Sequence, residues 1–212
     1  MSSKELLLQK SRLYLILDTE VADYPKLLTI AQEAVNSGID IVQLRDKKGS
    51  AKDILKFSRD IQKILKGRIP YIVNDRVDLA IATGAYGVHL GQDDMGIHIA
   101  RKMIGKKAII GASCQSVTAA YKAEKEGADY IGFGSVFKTF TKPGRSPMDL
   151  NVLKEAVNKI KIPVFAIGGI NQDNIKNLLQ MGIRRMAVCR AILQAAQAGA
   201  AIRSIAGLMH DA

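Results

Sequence analysis

The sequence has no tryptophan, only five phenylalanines and six tyrosines, and two cysteines. So few aromatic rings give little platform for stacking on single-stranded nucleic acid. Cys114 and Cys189 lie too far apart in sequence for a close-spaced metal or redox motif, and in a reducing compartment they read as small buried apolar residues. No apolar run is long enough to cross a bilayer, and Met1-Ser2-Ser3-Lys4-Glu5 lacks the basic-then-apolar layout of a signal peptide. The expected location is therefore cytoplasmic, with no membrane partner. A Gly-x-Ser-x-Gly elbow, a His-Glu-x-x-His pair and a Walker-type Gly-x-x-x-x-Gly-Lys-Ser/Thr loop are all absent, which weighs against hydrolases and nucleoside triphosphatases. No linker, low-complexity tract or charge block divides the chain, so residues 1–212 are expected to form one catalytic domain.

What is present is ordinary in bulk: 48% hydrophobic and 24% charged residues, enough to bury a large core. The net charge of +11 is spread along the chain rather than gathered in a tract, so no nucleic-acid partner is expected. Anionic small substrates and solvated helix faces account for the excess. A homodimer is compatible with the sequence, which does not fix the oligomeric state.

Short β-rich runs alternate with longer helical patterns throughout, the mark of parallel βα units. Strands are expected at Leu13–Leu17, Ile39–Leu44, Tyr71–Asn74, Tyr86–Leu90, Ala108–Ala112, Tyr130–Phe133, Val164–Ile167 and Met186–Cys189. Apolar residues recur at helical spacing in Pro25–Ser37, Ser50–Lys66, Val117–Glu126, Leu150–Lys159 and Asn171–Met181. Gly38, Gly67, Gly127 and Gly182 follow helices, where a left-handed residue is easiest for glycine. Even number, uniform spacing and chain length favour closure into an α/β (β/α)₈ TIM barrel over an open doubly wound sheet. In a barrel, the residues after each strand converge on one face.

The polar residues at those positions are informative. Alternation sends Gln43, Arg45 and Lys47 toward the mouth, where two cations one residue apart can grip a diphosphate; alone, they read more readily as a solvated cluster in a loop. Asp75 after strand 3 and Asp94 after strand 4 could share a hard cation such as Mg²⁺, although Asp75 or Asp93 could simply cap a helix. His89, inside strand 4, reads as a packed or hydrogen-bonded core histidine. Ser113 and the run Thr139-Phe140-Thr141-Lys142 bring hydroxyls and an ammonium suited to phosphate. The connection from Gly134 to Asp149 reads as a mobile active-site loop. Gly168-Gly169 after strand 7 and Cys189-Arg190 at strand 8 fall where barrels commonly bind phosphate, although a glycine pair can also serve tight packing.

The ordered set Gln43-x-Arg45-x-Lys47, Asn74-Asp75-Arg76, Gly87-Val88-His89-Leu90-Gly91-Gln92-Asp93-Asp94, Gly132-Phe133-Gly134-x-Val136-Phe137-x-Thr139-x-Thr141-Lys142 and Ile167-Gly168-Gly169-Ile170 resembles the thiamine phosphate synthase family over nearly the whole chain. The resemblance implies a transferase joining hydroxymethylpyrimidine diphosphate to hydroxyethylthiazole phosphate with release of diphosphate. It implies that Gln43, Arg45, Lys47, Asn74, Ser113 and Lys142 contact the pyrimidine diphosphate, with Arg45, Lys47, Ser113 and Lys142 in the catalytic group. Asp75 and Asp94 would hold Mg²⁺. Thr139, Thr141 and Gly169 would bind the thiazole phosphate with the backbone at Cys189 and Arg190. The chain departs from many family members at Arg190, where they have Ser, at Lys138, where they have Pro, and at Gln115 or Ser116, where they have His. Two alternatives remain at this point: a thiazole tautomerase-like or regulatory relative, and a non-catalytic basic protein that binds polyanions.

Overall fold

Eight parallel strands follow one another round a closed barrel in chain order: β1 (Leu13–Asp18), β2 (Ile41–Arg45), β3 (Tyr71–Asn74), β4 (Gly87–Leu90), β5 (Ile109–Cys114), β6 (Tyr130–Phe133), β7 (Val164–Ile167) and β8 (Met186–Val188). The coordinates are a computed structural model describing residues 2–139 and 146–210. The helices are α1 (Ser3–Lys10), α2 (Tyr24–Ala34), α3 (Ala51–Leu65), α4 (Val77–Thr83), α5 (Ile97–Ile104), α6 (Val117–Lys125), α7 (Leu150–Lys159), α8 (Ile175–Gln180), α9 (Arg190–Leu193) and α10 (Ala198–His210). The fold is the expected (β/α)₈ barrel. Among the described residues, no helix is long and apolar enough to cross a membrane.

Both strand faces are buried, as parallel sheets require. Alternation sorts them: Leu15, Leu17, Val42, Leu44, Val88 and Ile131 join the core beneath the helices, whereas Tyr14, Ile16, Ile41, Ile72, Tyr130 and Phe165 fill the bore. The same period of two carries Gln43 and Arg45 up the inner face of β2.

An element absent from the sequence reading precedes β1. Ser2 and Glu5 form a reciprocal capping box that starts α1, and Leu8 of that helix is buried with the bore residues. Lys4 donates to the Ala108 carbonyl and the Arg185 guanidinium donates to the Gln9 carbonyl, so α1 closes the end of the barrel where the strands begin.

Of the boundaries that differ from expectation, two share one reason: short polar side chains take backbone partners that regular structure would use. β2 starts at Ile41 rather than Ile39, and the Asp40 carboxylate accepts from the Arg12 and Leu13 N–H groups at 2.7 and 2.8 Å. The helix after β7 starts at Ile175 rather than Asn171, because Asn171 Oδ1 accepts from the Asp173 and Asn174 N–H groups. Gly38, Gly67, Gly127 and Gly182 have φ of +96°, +68°, +98° and +82°, the left-handed turns anticipated after helices.

Candidate active site

The C-terminal ends of the strands surround a cavity of about 490 Å³. Of the residues singled out from sequence, Gln43, Arg45, Lys47, Asn74, Asp75, Asp94, Ser113, Thr139, Gly169, Cys189 and Arg190 line it. Thr141 and Lys142, with residues 140–145 of the expected mobile loop, lie outside the described residues.

Arg45 ends β2 beside Asp18, its register partner on β1. Its guanidinium donates to Asp18 Oδ2 at 2.9 Å and to Glu20 Oε2 at 3.1 Å. Burial alone would weaken its hold on the proton, but the charges of Asp18 and Glu20 outweigh that and raise its pKa. Asp18 is fully buried and lies one residue beyond the strand end expected at Leu17. Its signal was a carboxylate one residue further along the strand.

Lys47 pairs with Asp75. Asp75 adopts a left-handed backbone, φ +62°, and its N–H donates to the His89 carbonyl at 2.8 Å. Burial first, and then contact with Asp94, push the Asp75 carboxyl above the usual carboxylate range, with Lys47 opposing. Asp94 accepts from the Gly91 N–H at 2.7 Å. Neither carboxylate caps a helix: α4 and α5 start behind Arg76 and Gly96, with no side-chain cap bond at either. Arg76 turns away, donating twice to Asp78.

His89 is buried and bonded through both nitrogens, as expected of a core histidine, yet it also lines the cavity. Tyr14 and Tyr130 line it too, and sequence reasoning passed over them because a tyrosine within a strand reads as packing. Across the barrel, Gly168 and Gly169 have φ of +105° and +67°. A side chain on either would collide with Ser135 or with Phe137 and Lys138, whose segment lies against the turn through a Phe137 N–H bond to the Gly168 carbonyl at 3.0 Å. The glycine pair thus serves tight packing and lines the cavity as well. Cys189 precedes α9, and Arg190 is its first residue. Neither cysteine forms a disulfide, and burial pushes the Cys114 thiol up to about 12.

A closed parallel barrel with cations, carboxylates and a glycine turn at its C-terminal mouth belongs to the barrels that handle anionic small molecules there. Comparison with known proteins narrows this. The chain belongs to the thiamine monophosphate synthase family, a family of transferases, which matches residues 13–192. It is 38% identical over 200 residues to the thiamine-phosphate synthase of Clostridium tetani, covering 94% of this chain and 96% of the relative. It is 43% identical over 185 residues to that of Clostridium novyi, covering 86% and 91%. A solved thiamine phosphate pyrophosphorylase from Pyrococcus furiosus superposes with a TM-score of 0.87 at 33% identity, covering 99% of this chain and 98% of that one. The tautomerase-like and polyanion-binding alternatives gain no support from these relatives.

Proposed function

We propose that residues 1–212 form one catalytic unit that joins hydroxymethylpyrimidine diphosphate to hydroxyethylthiazole phosphate, giving thiamine phosphate and diphosphate. The observation that carries this reading is the division of the mouth: cations and carboxylates at β1 to β4, and a glycine turn with the Cys189–Arg190 segment at β7 and β8, around one cavity. Two phosphorylated substrates would each find a side. The same reading gives the protein small-molecule partners and a cytoplasmic location.

Gln43, Asn74 and Ser113 would hold the pyrimidine, with Arg45, Lys47 and Lys142 on its diphosphate. Thr139, Thr141 and Gly169 would hold the thiazole phosphate with the Cys189 and Arg190 backbone. Asp75 and Asp94 offer only hard oxygen donors, and their mutual repulsion favours a cation between them. Among the described residues, no group of three or more acidic, His or Cys ligands exists. That donor set fits Mg²⁺, which commonly takes one or two carboxylates and completes its shell with water and substrate phosphates. When bound, the ion would supply Lewis-acid stabilisation of the diphosphate charge.

The chain's own residues would do the rest. Breaking the bond between the pyrimidine methylene carbon and diphosphate moves an electron pair onto the leaving group. Arg45, already oriented by Asp18 and Glu20, meets that charge with little reorganisation. Lys47 would exchange Asp75 for a diphosphate oxygen. The amino-substituted ring spreads the positive charge left on carbon, and the thiazole nitrogen traps it. Holding both rings in one cavity makes that capture local rather than bimolecular.

Incubating the purified protein with both substrates and Mg²⁺ tests the reading. Thiamine phosphate and diphosphate should appear in equal amounts, and a chelator should stop both. Folded protein that forms neither would overturn it.

A further inference from the structure

A row of polar groups, buried except for the partly exposed Ser113, lines the floor of the cavity across six strands. Gln43 Nε2 donates to Asn74 Oδ1 at 3.3 Å, and the Tyr14 hydroxyl donates to Gln43 Oε1 at 3.2 Å. The hydroxyls of Tyr14 and Tyr130 lie 2.8 Å apart. Tyr130 then meets His89 Nδ1 at 2.9 Å, and His89 Nε2 meets Ser113 Oγ at 2.9 Å. Space for this row is built in: a side chain at Gly111 would collide with the Tyr130 ring, and a Cβ at Gly132 would lie 3.1 Å from His89 Cε1. Phe165 sets its edge against Tyr14 and Tyr130 at 5.6 and 5.7 Å and holds both rings.

The row has a direction because each phenol has one proton to give. Burial raises both tyrosines above their ordinary range, so both remain protonated. Tyr14 gives its proton to Gln43 and must therefore accept from Tyr130. Tyr130, its proton committed, accepts from His89 Nδ1–H. A ring carrying only that proton presents a lone pair at Nε2, which accepts a hydrogen bond from the Ser113 hydroxyl. At the Ser113 end the cavity meets oxygen lone pairs. At the other end Asn74 Oδ1 already accepts from Gln43, and the Asn74 amide N–H groups are the donors available to a ligand there.

We propose that this one-way chain sets the donor and acceptor pattern of the pocket floor and thereby selects an aminopyrimidine. Ser113 accepts from the exocyclic amino group, while the Asn74 amide donates to an acceptor of the same ligand. Tyr14, Tyr130 and His89 are positioning residues that act through Gln43 and Ser113. The substrate named here rests on the synthase reading above; the direction of the chain does not. An oxo group in place of the amino group would set one lone pair against another, and a site built around a hydrogen bond discriminates strongly on that basis.

The first measurement needs no variant and no ligand. The chain has three histidines, so ¹⁵N labelling of the imidazoles reads His89 directly. The ligand-free protein should show a neutral His89 with its proton on Nδ1. A proton on Nε2, or on both nitrogens, would overturn the direction whatever the substrate is. The second measurement titrates the aminopyrimidine diphosphate and its oxo counterpart into wild type and Tyr130→Phe. Wild type should prefer the amino form by on the order of 10²-fold, and the variant, free to reverse Ser113, should lose at least about tenfold of that preference. Equal weakening toward both ligands would reduce the row to packing and overturn its selective role.

Discussion

The two ends of the barrel treat a partly buried carboxylate in opposite ways. At the closed end, Asp129 accepts from Lys4 at 2.7 Å, from Arg101 at 2.5 Å and from the Ile110 N–H at 2.8 Å. At the mouth, Asp75 meets one cation among the described residues, Lys47, and stands beside a second carboxylate, Asp94. One aspartate is answered by two cations and a backbone donor; the other is held with its pKa raised. Barrel enzymes concentrate stability at the end where strands begin and chemistry at the end where they finish. The contrast between Asp129 and Asp75 is that division at the level of single side chains.

Breaking the stable end should give the largest loss of stability. Asp129→Ala leaves Lys4 and Arg101 facing each other without their shared acceptor. The loss should be about 2–3 kcal/mol, below the range for a fully buried pair because some solvent reaches all three groups. That corresponds to a melting temperature lower by roughly 4–12 °C. Turnover per folded molecule should be unchanged. A drop in turnover at constant melting temperature would break the comparison.

A smaller effect should sharpen it at the mouth. Arg190→Ser should weaken thiazole phosphate binding by about 1.5–3 kcal/mol, the range for a charge-assisted hydrogen bond, and leave pyrimidine diphosphate binding and melting temperature nearly as they were. Separate titrations of the two substrates decide this. Equal affinity for thiazole phosphate before and after the substitution would assign the guanidinium no part in the site.

Much of this was readable from sequence because period and order are one-dimensional. The βα repeat gave the barrel, and alternation along β2 put Gln43 and Arg45 inside it. What escaped needed the third dimension. Nothing along the chain joins Asp18 to Arg45; the pairing of β1 with β2 does. Tyr14 and Tyr130 are 116 residues apart, and only closure of the barrel brings their hydroxyls together. The helix α1 was locally encoded, since Ser2 and Glu5 form its capping box, but its purpose is visible only where Leu8 meets the bore.

The most direct test compares turnover and melting temperature in one variant, Asp75→Asn. Asparagine tolerates the left-handed backbone at φ +62°, so the fold is not strained by the change. Because burial and Asp94 raise the folded-state pKa of Asp75, its protonated form is favoured by folding. The stability from that preference is fully present below the unfolded pKa and is lost as pH rises through the raised one, so the ionised side chain destabilises the fold near neutrality. Lys47, partly exposed, can turn to water. Asp75→Asn should therefore lower turnover by on the order of 10²-fold while melting at or above the wild-type temperature, with the margin over wild type growing as pH rises above about 4. A melting temperature that falls together with activity would show that Asp75 supports the fold, and would contradict the division between the two ends.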